Sequence, residues 1–369
     1  MFKRNQNKKV FVAMSGGVDS SVAAAILKSQ GYQVFGMTMC FDIPLGPGQR
    51  PSCCGADAIQ DARHVAQALN IPHHVLSFGQ DLNDYVIEHF IDEYRKGRTP
   101  NPCVRCNQYI KFGTLLKKIR LLGGDYLATG HYAKIARRPL DRRWVLKKSV
   151  QGSKDQSYFL YQMKKEHLPY ILFPLGGLVK NQVRDLAKKF GFRNAQKKES
   201  QDICFVTGGD YKDFLQERAP EALGSSGPIK DDQGHLLGEH QGLGFYTIGQ
   251  REGLGIAVGH PLYIYHIDHA TNTIYVGPKD RLLSPGLLAR EINFISQEFP
   301  KKATEVKVKI RYNQPEVKAC LVPKPGKKIE VRFHKPQLSV TPGQSVVFYR
   351  SDIVLGGGII EQSLSESKG

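Results

Sequence analysis

Two cysteines separated by two residues, Cys103 and Cys106, have the spacing and residue type expected of a reactive site. They follow a proline-stiffened stretch at 97–102 and precede a helical pattern that is predicted to begin near Ile110. A thiol near a helix N-terminus, with Arg105 beside it, is expected to have a lowered pKa and more thiolate. The spacing alone leaves a redox pair, half of a zinc site, part of an iron–sulfur site and inert buried thiols open.

A third cysteine, Cys204, lies between apolar residues with charged residues close by in the sequence. Its spacing does not connect it to Cys106, and the two sulfurs meet only if the chain folds back after the fourth predicted strand. The seven cysteines are an odd number in a chain without a secretory signal, which argues against a disulfide framework. No role is assigned to the remaining cysteines, Cys40, Cys53, Cys54 and Cys320.

A glycine-rich motif, SGGVDS at residues 15–20, stands directly between an apolar run and a helical pattern. Two glycines let the backbone approach an anion, and the N-terminus of the following helix favours phosphate. Ser15 and Ser20 add hydroxyl groups, while Asp19 is suited to hold a cation or the start of the helix. No lysine follows at the Walker offset. The motif therefore predicts a site for ATP that is cleaved between its α and β phosphates, with an ordinary glycine-rich turn as the alternative.

The elements around these motifs alternate between apolar strands and longer helical patterns. Near-continuous apolar runs are typical of buried parallel strands, and the spacing between them is that of crossover helices. The pattern predicts an α/β fold with a doubly wound parallel sheet, which binds ligands at the carboxyl ends of its strands. The predicted strands are 10–14, 33–39, 73–77 and 126–129, and the predicted helices are 20–30, 56–69, 82–96 and 112–122.

The pattern changes after residue 207, and this change divides the chain into three predicted domains. Residues 1–207 form the nucleotide-binding domain. Residues 208–284 form a small central domain, which contains six glycines between 242 and 259 and a hairpin within 261–276. Residues 285–369 contain short alternating strands separated by proline and glycine turns, which predict a C-terminal β-barrel.

The chain is strongly basic, with a net charge of +18 and a pI near 9.5. Eleven lysines and arginines stand against three glutamates between residues 301 and 335. This excess favours a polyanionic partner such as a nucleic acid, although a solvated basic face is the plainer alternative. The sequence has no apolar stretch long enough to span a bilayer and no signal-peptide pattern, so a cytoplasmic location without membrane attachment is expected.

Taken together, these segments resemble the tRNA-specific 2-thiouridylase family over nearly the whole chain. The first motif is that of the wider pyrophosphatase-loop superfamily, while the combination is specific to the thiouridylases. The motifs that carry the resemblance are AMSGGVDS at 13–20, GRTPNP at 97–102, ATGHY at 128–132, KDQSYF at 154–159, SQDICF at 200–205, GEHQGL at 238–243, TIGQR at 247–251, TPGQ at 341–344 and LGGGIIEQ at 355–362.

The resemblance implies a reaction and assigns roles to residues. ATP, with Mg²⁺, would adenylate the C2 oxygen of the wobble uridine U34 in tRNAs for Lys, Glu and Gln. Cys204 would carry a persulfide received from a sulfur-relay protein or a cysteine desulfurase. Cys106 would be the second catalytic cysteine and form a disulfide with Cys204 afterwards, and Asp19 would act at the nucleotide. The nucleotide would be held by Ala13, Met14, Ser15, Gly16, Gly17, Val18, Asp19, Ser20, Met39 and Gly130.

The resemblance also implies a set of RNA contacts and contains one departure. Asn101, Pro102 and Cys103 would face a target base that has left the anticodon stack. Many relatives have aspartate at position 103, so Cys103, Cys106 and Cys204 are here a set of three thiols, for which a [4Fe–4S] cluster is an alternative to the persulfide. A different pyrophosphatase-loop ligase is a further alternative, and so is a tRNA-binding factor that only switches on nucleotide binding. The other implied tRNA contacts are His131, Lys154, Asp155, Gln156, Arg311, Tyr312 and Gln344.

Overall fold

The structure is a computed structural model that describes residues 5–41, 56–197, 203–206 and 210–365. Cys53, Cys54 and the predicted domain boundary at 207/208 lie outside the described residues. In the part of the chain that is described, no helix is long and apolar enough to cross a membrane.

A five-stranded parallel sheet forms the centre of the N-terminal half. The strands of this half are β1 (Lys9–Ala13), β2 (Gln33–Cys40), β3 (His73–Ser77), β4 (Tyr126–Ala128), β5 (Ala133–Arg137), β6 (Trp144–Lys148) and β7 (Ile171–Leu172). The sheet has the order β3-β2-β1-β4-β7, and all of its pairings are parallel. The prediction of a doubly wound α/β fold is confirmed.

Helices cover both faces of this sheet. The α-helices are α1 (Val18–Ser29), α2 (Ala56–Ala68), α3 (Gly79–Leu82), α4 (Glu88–Arg95), α5 (Pro102–Arg105), α6 (Leu116–Leu121), α7 (Lys180–Lys189) and α8 (Tyr211–Arg218). Two π-helical segments join neighbouring helices, at Asn83–Ile87 and Cys106–Leu115. Short 3₁₀ turns lie at Gly152–Lys154, Ser157–Phe159, Lys165–Tyr170, Arg193–Gln196, Pro220–Ala222, Leu243–Phe245, Lys279–Leu282 and Pro325–Lys327.

The strand β1 shows why the sheet is buried on both faces. Val10 and Val12 are fully buried on the side covered by α1, α2 and α7. Phe11, between them, faces the opposite side and packs into the cluster formed with the helices between β3 and β4. Since successive strand residues point to opposite faces, a run of apolar residues fits only a strand that is covered twice.

The helix that carries the two spaced cysteines begins eight residues earlier than predicted. Its N-cap is Asn101, whose side chain accepts a hydrogen bond from the backbone N–H of Val104 at 3.3 Å, and Pro102 is its first residue. A proline is well suited to this position because its missing N–H has no partner in the first turn. The prediction that Cys103 and Cys106 lie on a loop before the helix is therefore wrong, since both lie in its first turns.

The central region has a separate small sheet. Its strands are β8 (Gly227–Lys230), β9 (Leu236–His240), β10 (Tyr263–Asp268) and β11 (Thr273–Gly277), in the order β10-β11-β8-β9. The antiparallel pair β10 and β11 is the hairpin expected from the sequence.

The C-terminal strands close into an antiparallel barrel, as predicted. The barrel strands are β12 (Leu283–Phe294), β13 (Thr304–Lys309), β14 (Val317–Lys324), β15 (Lys328–Leu338), β16 (Ser345–Arg350) and β17 (Ile353–Ser363). Their order is β12-β15-β14-β13-β16-β17, and pairing of β12 with β17 completes the barrel. The β5–β6 hairpin extends the same sheet, because β6 pairs with β17. The N-terminal half therefore supplies two strands to the barrel sheet.

Candidate active site

The order of the parallel sheet reverses between β1 and β4, and the glycine-rich loop lies at this switch point. Gly130, just beyond β4, packs directly against the start of α1. A Cβ atom at Gly130 would lie 2.7 Å from the backbone nitrogen of Ser20 and 2.8 Å from the carbonyl carbon of Asp19. The absence of a side chain at Gly130 therefore lets α1 approach closely. The loop after β4 consequently lies beside the N-terminus of that helix.

The loop before α1 is held by its own serines. The hydroxyls of Ser20 and Ser21 donate to the carbonyl oxygen of Gly17 at 3.1 and 2.9 Å, and Ser20 Oγ accepts from the backbone N–H of Ser15 at 3.2 Å. The N-cap is Gly17, which has no side chain to cap the helix. The first N–H groups of α1 can therefore donate to a phosphate, and the positive end of the helix dipole favours its charge. The loop thus fits a nucleotide.

Residues on either side of this loop complete the predicted nucleotide site. Met14 is buried, and its carbonyl accepts a hydrogen bond from the hydroxyl of Thr38 in β2 at 2.8 Å. Ala13 ends β1, and Met39 lies half-buried near the end of β2. Both strand ends are at the carboxyl edge of the sheet, where ligands of this fold class bind.

Asp19 forms an ion pair with a lysine that sequence reasoning missed. Both carboxylate oxygens of Asp19 bind Lys180 Nζ, at 2.8 and 2.9 Å, and Oδ1 also accepts a hydrogen bond from the Tyr132 hydroxyl at 2.8 Å. Lys180 is the first residue of α7 and its side chain is only 8% exposed. The partners are 161 positions apart, so no local sequence pattern shows this pair. In this structure Lys180 is the cation beside Asp19, and a role for Asp19 toward a metal cation stays a prediction.

Cys204 lies near Cys103 and Cys106 in the fold, although it is far from them in the sequence. Cys106 is buried, whereas Cys103 and Cys204 are exposed. Each of Cys103 and Cys106 interacts electrostatically with Cys204 and with Lys111. The fold therefore brings Cys204 back to the cysteine helix, which spacing alone left open.

The expectation of a lowered pKa for these thiols is wrong. Burial raises the pKa of Cys106 to about 12, with the neighbouring thiols adding to the rise and Lys111 opposing it. Surrounding protein atoms and Cys204 also raise the pKa of Cys103, which still stays accessible at the mouth of the site. Arg105 does not help, because its Nε donates to the carbonyl of Tyr85 at 3.1 Å and its guanidinium lies 4.6 Å from the Tyr109 ring centre.

Lys111 is the cation of the thiol cluster and was also missed. In an α-helix, residues five apart point about 140° away from each other around the axis. The segment Cys106–Leu115 is π-helical, and its wider turns reduce the angle between residues 106 and 111 to roughly 50°. The π-helical winding thus turns Lys111 towards the side of Cys106. No sequence signal for this segment was recognised.

His131 connects the thiol cluster to the nucleotide loop. It directly follows Gly130, and its ring packs against Phe112 and Phe173 with centroids 5.9 and 5.8 Å away. Burial, and secondarily the charge of Lys111, lower the pKa of His131 well below 6.5, so the ring is neutral. Its Nδ1 lies 2.7 Å from the Thr129 hydroxyl. The neutral ring is therefore held between the loop at α1 and the lysine beside the thiols.

The three thiols do not form a metal-binding set. Within the described ranges, no three histidine, cysteine, aspartate or glutamate side chains are close enough to one another to hold a metal ion. The residues as placed do not fit the alternative of a [4Fe–4S] cluster on Cys103, Cys106 and Cys204.

Several predicted RNA contacts serve internal structure. Asp155 is 3% exposed, and its carboxylate accepts hydrogen bonds from the backbone N–H of Ser149 at 2.9 Å and the hydroxyl of Ser157 at 2.7 Å. Gln156 Oε1 accepts from the backbone N–H of Tyr132 at 2.9 Å. These two side chains hold the turn beside the nucleotide loop.

The predicted contacts in the barrel also bind other parts of the protein. Arg311 donates to the carbonyls of Ile248 in the central domain and Ser339 in the barrel, each at 3.2 Å. Tyr312 packs against Phe159 with ring centres 4.6 Å apart. Pro102 is buried at the start of its helix. The other predicted contacts keep partial or full access to solvent: Asn101, Cys103, His131, Lys154 and Gln344.

The fold and the site define a class of protein: a nucleotide-binding α/β enzyme with a thiol cluster and an appended β-barrel. Residues 8–208 match the family model described as a tRNA methyl transferase HUP domain. Residues 212–278 match the tRNA methyl transferase PRC-barrel domain, and residues 284–360 match the aminomethyltransferase beta-barrel domain.

Full-length relatives identify the family more precisely. The tRNA-specific 2-thiouridylase MnmA of Geotalea uraniireducens is 49% identical over 99% of this chain and 98% of its own length. The protein of the same name from Moorella thermoacetica is 49% identical over 95% of this chain and 98% of its own. This chain belongs to the tRNA-specific 2-thiouridylase family.

A weaker similarity links this chain to a solved structure. The U34-tRNA thiolase NcsA from Methanococcus maripaludis, with its [4Fe–4S] cluster, is 18% identical with a TM-score of 0.35, covering 59% of this chain and 68% of that one. A similarity this weak does not bear on the cofactor of this chain.

Proposed function

We propose that this chain is a tRNA-uridine 2-sulfurtransferase that uses ATP to replace the C2 oxygen of U34 with sulfur. The expected substrates are the tRNAs for Lys, Glu and Gln. The observation that carries the proposal is the junction of two sites: Gly130 packs on the loop at α1, and His131 next to it interacts with Lys111 beside the thiols. An activated uridine at this junction lies between its activating nucleotide and its sulfur donor.

The first chemical step is adenylation of the uridine. The C2 oxygen attacks the α-phosphate of ATP, the bond between the α and β phosphates breaks, and pyrophosphate leaves. The phosphates bind at the N-terminus of α1, and the ion pair of Asp19 with Lys180 fixes the first turn of that helix. Mg²⁺ enters as part of the ATP complex, and we assign it no protein ligand. Residues 13–20, Met39 and Gly130 surround the nucleotide.

The second step is sulfur transfer. The terminal sulfur of a Cys204 persulfide attacks C2 and AMP leaves, which produces a disulfide between Cys204 and the uridine sulfur. Cys106 then attacks the Cys204 sulfur, its thiol proton passes to the departing uridine sulfur, and 2-thiouridine is released. The two cysteines are oxidised to a disulfide as the transferred sulfur is reduced, and an external thiol reductant resets them. This chemistry suits a persulfide, which is a strong nucleophile.

RNA recognition uses the barrel and the cysteine helix. Asn101, Pro102 and Cys103 are the residues expected to face a base that has left the anticodon stack. The excess of lysine and arginine between 301 and 335 supplies a sequence-independent attraction for the RNA backbone. The sulfur donor is a sulfur-relay protein or a cysteine desulfurase, and the reaction takes place in the cytoplasm.

The test uses an unmodified tRNA-Glu transcript with ATP, cysteine and a cysteine desulfurase. We expect 2-thiouridine at position 34, one AMP for each modified uridine, and pyrophosphate release that requires RNA. Cys320→Ser is the matched control, because this thiol lies on β14 of the barrel. Pyrophosphate release without RNA would favour the small-molecule ligase, and full thiolation by Cys204→Ser would exclude the persulfide route. Activity that requires bound iron would restore the cluster alternative.

A further inference from the structure

The segment from Gly97 to Asn101 lies where the three parts of the chain meet. Thr99 shows this best, because each of its polar groups binds another domain. Its backbone N–H donates to the carbonyl of Pro342 at 2.9 Å, and its carbonyl accepts from Gln344 Nε2 at 2.9 Å. Its hydroxyl lies 3.2 Å from the hydroxyl of Thr247 in the central domain. A single residue of the nucleotide-binding half is thus fixed by both of the other domains.

The fit between this segment and the barrel is tight. Gly343 has a φ of +90°, and a Cβ atom there would lie 2.8–2.9 Å from the backbone of Thr99. A glycine is required on both counts, conformation and space. Gln344 Nε2 reaches a second carbonyl, that of Pro100, at 3.3 Å. The barrel turn 341–344 therefore matches the backbone of residues 99 and 100 in shape and in hydrogen bonding.

The other end of the segment is held by a buried ion network. Glu93 is 3% exposed and binds Arg98 Nε at 2.7 Å and Arg290 of β12 at 3.2 Å. Burial alone would raise the pKa of Glu93, but the hydrogen bond and charge of Arg98, with Arg290, lower it, so the carboxylate is charged. Arg98 also donates its backbone N–H to the Glu93 carbonyl at 2.8 Å. The barrel thus contacts the segment directly at Thr99 and Pro100, and it reaches Arg98 through Glu93.

The backbone between Thr99 and the thiols has little conformational freedom, so a displacement of Thr99 would also displace the cysteine helix. Pro100 and Pro102 have fixed φ angles, and Asn101 between them caps the cysteine helix. The position of Thr99 therefore sets where the helix begins, and with it the positions of Cys103 and Cys106.

We infer that Gln344, with Gly343 and Thr247, is a positioning residue for the cysteine helix. It acts on the placement of the thiols before RNA arrives, because its side-chain Nε2 donates to the carbonyls of Thr99 and Pro100. The inference rests on the proposed function for its effect on catalysis. The geometric claim, that the barrel turn places the thiols, is independent of the reaction.

Gln344→Met is the main test, since methionine keeps the length of the side chain but donates no hydrogen bond. The matched control is Gln337→Met, because Gln337 Nε2 donates to the nearby carbonyls of Lys335 and Pro336 and to neither of the other two domains among the described residues. Three quantities are measured on the full chain: iodoacetamide labelling of Cys103 without RNA, the Kd for unmodified tRNA-Glu, and the single-turnover thiolation rate at saturating tRNA. Gly343→Ala is a second variant, and circular dichroism checks that both fold.

For Gln344→Met we expect a labelling rate changed several-fold without RNA, a tRNA Kd within about twofold of wild type, and a thiolation rate lower by on the order of tenfold. Gln337→Met leaves all three unchanged. A Kd raised about tenfold with unchanged labelling and rate would make Gln344 an RNA contact and overturn the inference, as would no change at all. If wild type does not thiolate tRNA, the proposed function fails, and the labelling result still decides the geometric claim.

Discussion

The nucleotide loop and the cysteine helix differ in what holds them. The loop at α1 is fixed within one domain, by Ser20, Ser21 and the pair of Asp19 with Lys180. The cysteine helix begins on a segment whose position depends on the central domain and the barrel as well. The comparison suggests that activation of the substrate is a property of one domain, whereas sulfur transfer requires the correct assembly of all three.

The largest expected effect is on sulfur transfer alone. Cys204→Ser removes the sulfur that carries the persulfide, so we expect 2-thiouridine formation to fall by on the order of 10³-fold or more. The nucleotide loop at α1 is unchanged in this variant, so RNA-dependent pyrophosphate release in the first turnover remains. The measurement is a quench-flow assay of both products, with Cys320→Ser as the control. Equal loss of both products would show that the two steps are not separable.

The next largest effect is on adenylation at the nucleotide loop. Lys180→Met removes the cation that binds both oxygens of Asp19, and we expect adenylation to fall by about 10²-fold. Iodoacetamide labelling of Cys103 should stay at the wild-type rate. A thermal melt accompanies the assay, because breaking a partly buried pair also destabilises the fold. The double variant with Asp19→Asn should recover stability without recovering activity. Wild-type adenylation in Lys180→Met would contradict the assigned role.

A smaller effect concerns Lys111 and pH. Because the pKa of Cys106 is raised to about 12, its thiolate fraction is small at neutral pH, and its alkylation rate should rise about tenfold per pH unit up to pH 10. Lys111 opposes that rise, so Lys111→Gln raises the pKa of Cys106 further and slows its labelling several-fold at each pH. Stopped-flow alkylation of Cys106, resolved by mass spectrometry, measures this. A plateau near pH 8 in wild type would contradict the raised pKa.

The smallest effect lies outside both regions. Lys302 is exposed on the basic barrel stretch, so Lys302→Ala should weaken tRNA binding about twofold and reduce the salt slope of log Kd by about one. Neither adenylation nor sulfur transfer should change at saturating tRNA. Fluorescence titrations at several salt concentrations provide the test. A lower rate at saturating tRNA would give the barrel surface a role beyond attraction.

The sequence predicted the fold well where the pattern is local. The strand His73–Ser77 is found with the predicted bounds, and the loop at 15–20 follows the carboxyl end of β1 as expected for its motif. The start of the cysteine helix was misplaced because two prolines were interpreted as a loop, although Pro102 after Asn101 is also a helix-start signal.

The rest of the site depends on contacts that no local pattern carries. The pairing of Lys180 with Asp19 and of Gln344 with Thr99 joins residues that are 161 and 245 positions apart. The pKa of Cys106 was expected to be lowered because its neighbour Arg105 is visible in the sequence, whereas the burial that dominates is not. Lys111 faces the thiols only because the helix is π-wound there.

The most direct test of the account is a single turnover on enzyme that has been loaded with ³⁴S persulfide and freed from its sulfur donor. The enzyme is mixed with ATP and unmodified tRNA-Glu, and the reaction is stopped with acid. Free thiols are then blocked by alkylation, and the nucleosides and peptides are analysed by mass spectrometry. We predict one ³⁴S-labelled 2-thiouridine and one Cys106–Cys204 disulfide for each persulfide consumed. Labelled 2-thiouridine without that disulfide, or thiolation from free sulfide by Cys204→Ser, would contradict the central claim that these two cysteines carry the sulfur.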